Sequence, residues 1–322
     1  MIANDAIGNF VMATPLLQML RQERNPSVLH AFVGTRTREL QQGSKLADQF
    51  FEMHGSDPEA FLQMVSQVRG QYDLVINCES TGMSKAAAWI LAENGFVAGP
   101  CLGDGGRGDL AFSPDERGRL WADPNWIAND IVLRYPFLHS PFISELFARL
   151  CYLEGPLAPY SIPKEDVTVD VPQILISAAA SLPEKLWPVD RWIEVTNRIS
   201  REGYSIGLIG AKPSDQQKFW KGGMDEEKLL EMGRIQDLRG HYTMPQVVGA
   251  LAKAKCVLTI DNGILHMAVA AGTPTVGLYR FGIHRLWAPP YEQLTVVTPG
   301  EGNPVSVISV ERVIEAVQRA LS

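Results

Sequence analysis

Val257-Leu258-Thr259-Ile260-Asp261-Asn262-Gly263-Ile264-Leu265-His266-Met267-Ala268-Val269-Ala270-Ala271-Gly272-Thr273-Pro274-Thr275-Val276-Gly277-Leu278-Tyr279 reads as strand, polar turn, helix, glycine stop and strand. Asp261, Asn262 and His266 gather where the helix begins. The first N–H groups of a helix have no partner inside it, and the macrodipole adds partial positive charge, so such a start accommodates a diphosphate. Asp261 is of a residue type preferred at the N-cap. A capped helix between two buried strands, with His266 satisfied locally, explains the turn equally well on its own.

Working outward, the same alternation fills the second half of the chain. Strand patterns at 173–177, 205–209 and 235–238 alternate with helical patterns at 189–202, 214–221 and 244–254. Regular alternation of this kind predicts a parallel sheet flanked by helices. Residues 311–321 form a last amphipathic helix, with Val313, Ile314, Val317 and Leu321 on one face. Upstream, Gly155-Pro156-Leu157-Ala158-Pro159-Tyr160-Ser161-Ile162-Pro163 can neither continue a helix nor sit in a central strand. It marks a linker over 156–172, with a first domain over 1–155 and a second over 173–310. The first half alternates too, with a strand at 29–33, a helix at 61–68, a strand at 73–78, a helix at 85–93 and a strand from Phe96 to Gly99. Residues 102–130 read as a long loop, and 142–153 as a helix.

Length and an apolar content of 46% support two cores and a cleft. A formal charge of −7 excludes the broad basic field of a nucleic-acid binder. The chain contains no apolar run of membrane-spanning length and no signal-peptide layout, which predicts a cytoplasmic protein. Cys78, Cys101, Cys151 and Cys256 are scattered without metal-ligand spacing and are expected as buried free thiols. Only Met1–Ala3 precede the first loop, where a parallel strand ordinarily has about five or six residues, so a displaced or shortened start is expected to weaken the first sheet.

Two further segments carry candidate chemistry. Ala3-Asn4-Asp5-Ala6-Ile7-Gly8-Asn9-Phe10-Val11 reads as a strand end, a glycine turn and a helix, with Gly8 allowing close approach of a ligand. Ser177-Ala178-Ala179-Ala180-Ser181-Leu182-Pro183-Glu184-Lys185-Leu186-Trp187-Pro188 follows the first strand of the second half. There Ser181 supplies a hydroxyl and Lys185 a cation suited to phosphate, while Pro188 fits the first position of the next helix. Dinucleotide, Walker A, zinc-protease and serine-hydrolase signatures are absent, which disfavours those enzyme classes.

Taken in order, Gly8-Asn9 with Thr14-Pro15-Leu16-Leu17, Lys185-Leu186-Trp187-Pro188 with Trp192, Asp237-Leu238-Arg239-Gly240, and Asp261-Asn262-Gly263 with His266-Met267-Ala268 and Gly272-Thr273-Pro274 resemble the motifs of family 9 glycosyltransferases, the heptosyltransferases of lipopolysaccharide core assembly. The resemblance implies the α/β GT-B architecture: two Rossmann-like domains facing across a cleft, with the acceptor on the first and the nucleotide-sugar on the second. It implies inverting transfer without a metal or other cofactor, from a nucleotide-sugar donor such as ADP-heptose to a saccharide or glycolipid acceptor, with peripheral contact at the inner membrane. By position, Ser181 and Lys185 meet the donor phosphates, and Asp261, Asn262, Gly263 and His266 hold the diphosphate and neighbouring sugar. Asp237 matches a carboxylate that binds the nucleoside.

This sequence departs from the family at Asn9, where the expected general base is Asp. An amide cannot accept that proton, so Asn9 is left to position the acceptor. The base is expected to be Asp5 on the same loop, with Glu79 as the second candidate. The departure keeps two alternatives open: a sugar-nucleotide-binding protein without transfer, and a nucleotide-sugar epimerase of the same architecture. Arg107, Arg117 and Arg119 are candidates for meeting an anionic saccharide, against the plainer reading of scattered surface charges.

Overall fold

The computed structural model describes residues 1–322 apart from Ser56, Pro213, 216–222 and Gly233. The chain divides into two compact units, Met1–Ser161 and Ile162–Ser322. The helix expected over 214–221 lies outside the described residues for most of its length.

In the second unit six strands form one parallel sheet. They are β5 (Ile174–Ser177), β6 (Ile206–Leu208), β7 (Ile235–Asp237), β8 (Cys256–Ile260), β9 (Thr275–Leu278) and β10 (Leu294–Val297). Their order is β10-β9-β8-β5-β6-β7. The chain therefore winds outward from β5 through β6 and β7, returns beside β5 as β8, and winds the other way. Because β5, β8 and β9 are buried on both faces, they lack polar–apolar alternation, and Ile174-Leu175-Ile176 and Cys256-Val257-Leu258 are consecutive buried apolar residues. Sequence patterning alone did not single out β10 or the helix Gly223–Met232.

Helix Val189–Arg201 presents Trp192, Val195 and Ile199 to this core at helical spacing. Trp187 and Trp192 meet edge to face at 5.3 Å, a geometry worth about 1 kcal/mol beyond the area buried. The Trp187 indole donates to the carbonyl of Ile308 at 2.9 Å, fastening the segment ahead of the C-terminal helix, Val310–Leu321. Pro188 stands one position before helix 189–201, as its N-cap, rather than inside its first turn. Helix Met244–Lys253 opens with a full capping box between Thr243 and Gln246.

Helix Gly263–Ala270 ends as its glycine predicts. Gly272 adopts φ +80°, its N–H bonds the carbonyl of Val269, and the N–H of Thr273 bonds that of Ala268. This pairing of the last carbonyls turns the chain directly into β9.

In the first unit the strands are β1 (His30–Gly34), β2 (Gln49–His54), β3 (Leu74–Ile76) and β4 (Phe96–Ala98). The pairs β1–β2 and β3–β4 are both parallel, and Ile2 bridges Phe32 on one side and Asn77 on the other. Met1–Ala3 thus occupy the central slot, with Ile2 N–H donating to Ile76 at 2.7 Å and Ala3 N–H to Phe32 at 2.9 Å. The N–H groups of Phe32 and Cys78 donate back to Met1 and Ile2, so both neighbours hold this segment. Strand β2 carries no alternation that the sequence reading detected.

Helix Ile7–Met19 begins earlier than expected, so Gly8 and Asn9 lie in its first turn rather than in a loop before it. Pro15 inside this helix removes the N–H that would serve Val11, and the hydroxyl of Thr14 donates to that carbonyl instead at 2.7 Å. The expected helix at 142–153 spans Ile143–Leu150. The stretch 102–130 is mainly irregular, with a short helix Glu116–Trp121. All four cysteines are free thiols, and burial pushes those of Cys151 and Cys256 up to about 12. Among the described residues no helix is long and apolar enough to cross a membrane.

Candidate active site

In an open parallel sheet, ligands sit beyond the carboxyl ends of the strands where the winding reverses. In the second unit that point lies between β5 and β8, which pair from Ile174↔Cys256 to Ser177↔Thr259. The two motifs read from sequence leave the sheet there, side by side.

Lys185, in the short turn Pro183–Lys185 after β5, reaches across to the turn after β8. Its ammonium lies 2.8 Å from the Asp261 carboxylate and donates to the Asp261 carbonyl at 3.2 Å. Asp261 is therefore the ion-pair partner of Lys185 and not the N-cap. The cap is Asn262, whose side-chain oxygen accepts from the N–H of Leu265 at 3.2 Å. The amide of Asn262 donates to the Ser177 hydroxyl and to the Ala179 carbonyl, tying the β5 loop to the helix start. With Leu265 capped, Gly263 and Ile264 are the first-turn residues whose N–H groups have no acceptor within the helix.

His266 is buried one turn into the helix, near Asp261 and Lys185. Burial outweighs the attraction of Asp261 and lowers its pKa to about 4, so the ring is neutral at physiological pH. Ser181 is exposed in the loop. Asp237 sits at the end of β7, two strands beyond β5, and Arg239 holds both of its oxygens at 2.9 Å. Arg239 is in turn paired with Glu226 and Glu227.

Arg280 was not singled out from sequence. It follows β9, the neighbour of β8, and pairs with Glu184 at 3.2 Å, so the Glu184-Lys185 dipeptide is fastened to two adjacent strand ends. Among the described residues, the buried Nε of Arg280 and Nδ1 of His284 find no hydrogen-bond partner. A charged residue two positions after a buried parallel strand was the available signal.

The first unit gathers its own polar groups at strand ends. Asn4 and Asp5 follow residues 1–3, His54 ends β2, and Glu79 follows β3. The Asp5 carboxylate accepts from the backbone N–H of Arg36 at 3.2 Å and lies 4.0 Å from its guanidinium. Glu79 is hydrogen-bonded by the Asn4 side chain and feels His54, yet burial dominates and raises its pKa above the ordinary glutamate value. No group of three or more metal-ligating side chains occurs among the described residues.

Comparison with known proteins places this geometry. The model of glycosyltransferase family 9 (heptosyltransferase) matches residues 62–307. Lipopolysaccharide heptosyltransferase 2 of Salmonella typhimurium is 30% identical over 98 residues, covering 30% of this chain and 27% of that protein. The chain thus aligns with about a quarter of the length of this curated relative. Among solved structures, a family 9 glycosyl transferase from Veillonella parvula superimposes with a TM-score of 0.70 at 16% identity, covering 99% of this chain and 96% of the other. The E. coli ADP-heptose lipopolysaccharide heptosyltransferase II gives 0.70 at 19% identity, covering 99% and 97%. These likenesses establish the fold as α/β of the GT-B type.

Proposed function

The chain belongs to glycosyltransferase family 9 (heptosyltransferase), and from that premise we propose that it transfers a sugar from a nucleoside-diphosphate donor to a saccharide acceptor, inverting the anomeric centre without a metal ion. The observation that carries this reading is the convergence, at the switch point of the second sheet, of Lys185 with a helix start whose first two N–H groups have no acceptor within the helix. As the glycosidic bond to the donor breaks, negative charge grows on the phosphate oxygens. A lysine and oriented amides stabilise that charge in the role a divalent cation fills elsewhere. Asp261 holds Lys185 in place until the diphosphate arrives, and Asn262 keeps the helix start aimed. Neutral His266 neither repels Lys185 nor competes with the phosphate for it.

The donor is proposed to be ADP-heptose, the sugar nucleotide in the name of the E. coli protein of like fold, and the acceptor a saccharide of the lipopolysaccharide core, the setting of the curated relative. With the diphosphate at β5 and β8, the nucleoside extends over β6 toward Asp237, whose remaining lone pairs accept from ribose hydroxyls.

The proton from the acceptor hydroxyl is assigned to Glu79. Asp5, the first choice from sequence, is turned to Arg36, whereas burial raises the pKa of Glu79 and makes it a better proton acceptor than an ordinary glutamate. Asn9, in the first turn of helix 7–19, positions the acceptor.

Incubation with a panel of ADP- and UDP-sugars in EDTA, following nucleoside diphosphate release and product configuration, tests the reading. Acceptor-dependent release of diphosphate with an inverted product is expected. Donor binding without release would leave a binding protein, which Asn9 favours. A change of donor configuration without acceptor would make the protein an epimerase.

A further inference from the structure

A cavity of about 570 Å³ opens in the first unit beside β4. This size is typical of small-molecule sites, roughly 300–1,000 Å³. Its lining includes Phe96–Gly99, at β4, and the irregular segment Leu110–Ser113. The sheet order ends at β4, so among the described residues no strand covers its outer side. The two segments are joined where the N–H of Leu110 donates to the Cys101 carbonyl at 2.9 Å.

The lining has two kinds of chemistry. Phe112 and Trp121 stack at 5.8 Å and give an aromatic wall. At the mouth, Leu74, Phe96, Leu110 and Tyr152 keep large apolar surfaces in solvent, with Phe96 at 81% exposure. Clustered apolar exposure of this kind around a concavity marks a binding site. Arg24 and Arg117 add positive charge, while Asp73 is the one acid among the described lining residues. The Arg117 guanidinium is fixed in advance: it lies 4.8 Å from the Phe137 ring centre and 4.5 Å from that of Tyr152, and donates to the Arg149 carbonyl at 3.1 Å. Its carboxylate partner, Glu154, is 66% exposed and contributes little net attraction in water. Arg24 donates to the Tyr152 carbonyl, which sets it at the same rim.

We propose that this cavity binds a small amphiphile, an apolar chain or ring system ending in a carboxylate or phosphate, with the apolar body against β4 and Trp121 and the anionic head at Arg24 and Arg117. None of its lining residues is among those assigned to sugar transfer, and the proposal does not depend on that assignment.

Calorimetric titration of the full chain with dodecanoate tests it. Saturable one-to-one binding is expected, weakened about tenfold in Arg24→Gln, as loss of a charge-assisted contact predicts, and weaker for dodecanol than for dodecanoate. Ala98→Trp and Ala111→Trp plug the cavity from these two segments and should abolish binding; Ala111 lies on an exposed segment, which covers the case in which Ala98→Trp fails to fold. Absence of saturable binding, or equal binding to a folded plugged variant, overturns the proposal. So does co-sedimentation with anionic phospholipid vesicles that persists in the plugged variants without dodecanoate binding, because the apolar rim would then be a membrane contact and the cavity incidental.

Discussion

The strand ends of the two units differ in how they assemble their polar groups. In the second unit, two loops leave neighbouring strands at the switch point, and Lys185, Asp261 and Asn262 meet through backbone topology alone. In the first, Asn4, His54 and Glu79 come from three separate strand ends, one of them preceded by only three residues. The proposed anion site thus follows from the fold, whereas the raised pKa of Glu79 follows from tertiary burial. Substitutions on the two sides should separate accordingly, those in the second unit acting on donor affinity and those in the first on the chemical step.

The largest effect is expected for Glu79→Gln, which should slow transfer by about 10²–10⁴-fold with donor affinity unchanged, the usual loss for a general base. The acid limb of the wild-type pH–rate profile should lie above the ordinary glutamate range, as the raised pKa requires, and should vanish in the variant. Asp5→Asn should leave both rate and profile close to wild type; a loss as large as that of Glu79→Gln would return the base to Asp5.

His266 gives the next effect. Its folded pKa is depressed from 6.5 to about 4, so the unfolded chain binds the proton first as pH falls. Its contribution is complete above pH 6.5 and is lost on descending to about pH 4, a change of about 3 kcal/mol. Urea unfolding at several pH values should show a flatter acid decline in His266→Gln; an unchanged slope would mean that another group governs it.

Asn262→Ala removes the N-cap and two buried hydrogen bonds across the loops. A loss of about 2 kcal/mol is expected in thermal or urea unfolding, with weaker donor binding as the helix start loosens. Stability equal to wild type would show that the clamp contributes nothing. The smallest effect is expected for Arg280→Gln, about 1 kcal/mol or less in stability, since its ion pair with Glu184 is half exposed.

Much of this comparison was legible in the sequence because the decisive signals were local. The run 257–279 carries its strand, helix, glycine stop and second strand within one continuous stretch, and Gly272 ends the helix as a left-handed glycine must. Lys185 could be placed because it closely follows β5. The capping role went to Asp261 instead of Asn262 because both are good caps and only the ion pair with Lys185 tells them apart. The raised pKa of Glu79 was not legible for a similar reason: burial, not residue type or proximity to Gly8, raises a carboxylate pKa, and burial depends on residues distant in sequence. Strand β2 and Arg280 escaped because neither carries a periodic pattern, and their places follow from neighbouring strands.

The central claim is that Lys185 and the helix start at Gly263 bind a diphosphate without a metal ion. Calorimetric titration of ADP into the protein in EDTA, repeated with Lys185→Ala, tests it most directly. Binding that survives EDTA and weakens about 10–100-fold in the variant, the value of a charge-assisted contact to phosphate, is the predicted result. Binding that requires magnesium, or that is equally tight without the Lys185 ammonium, would contradict it.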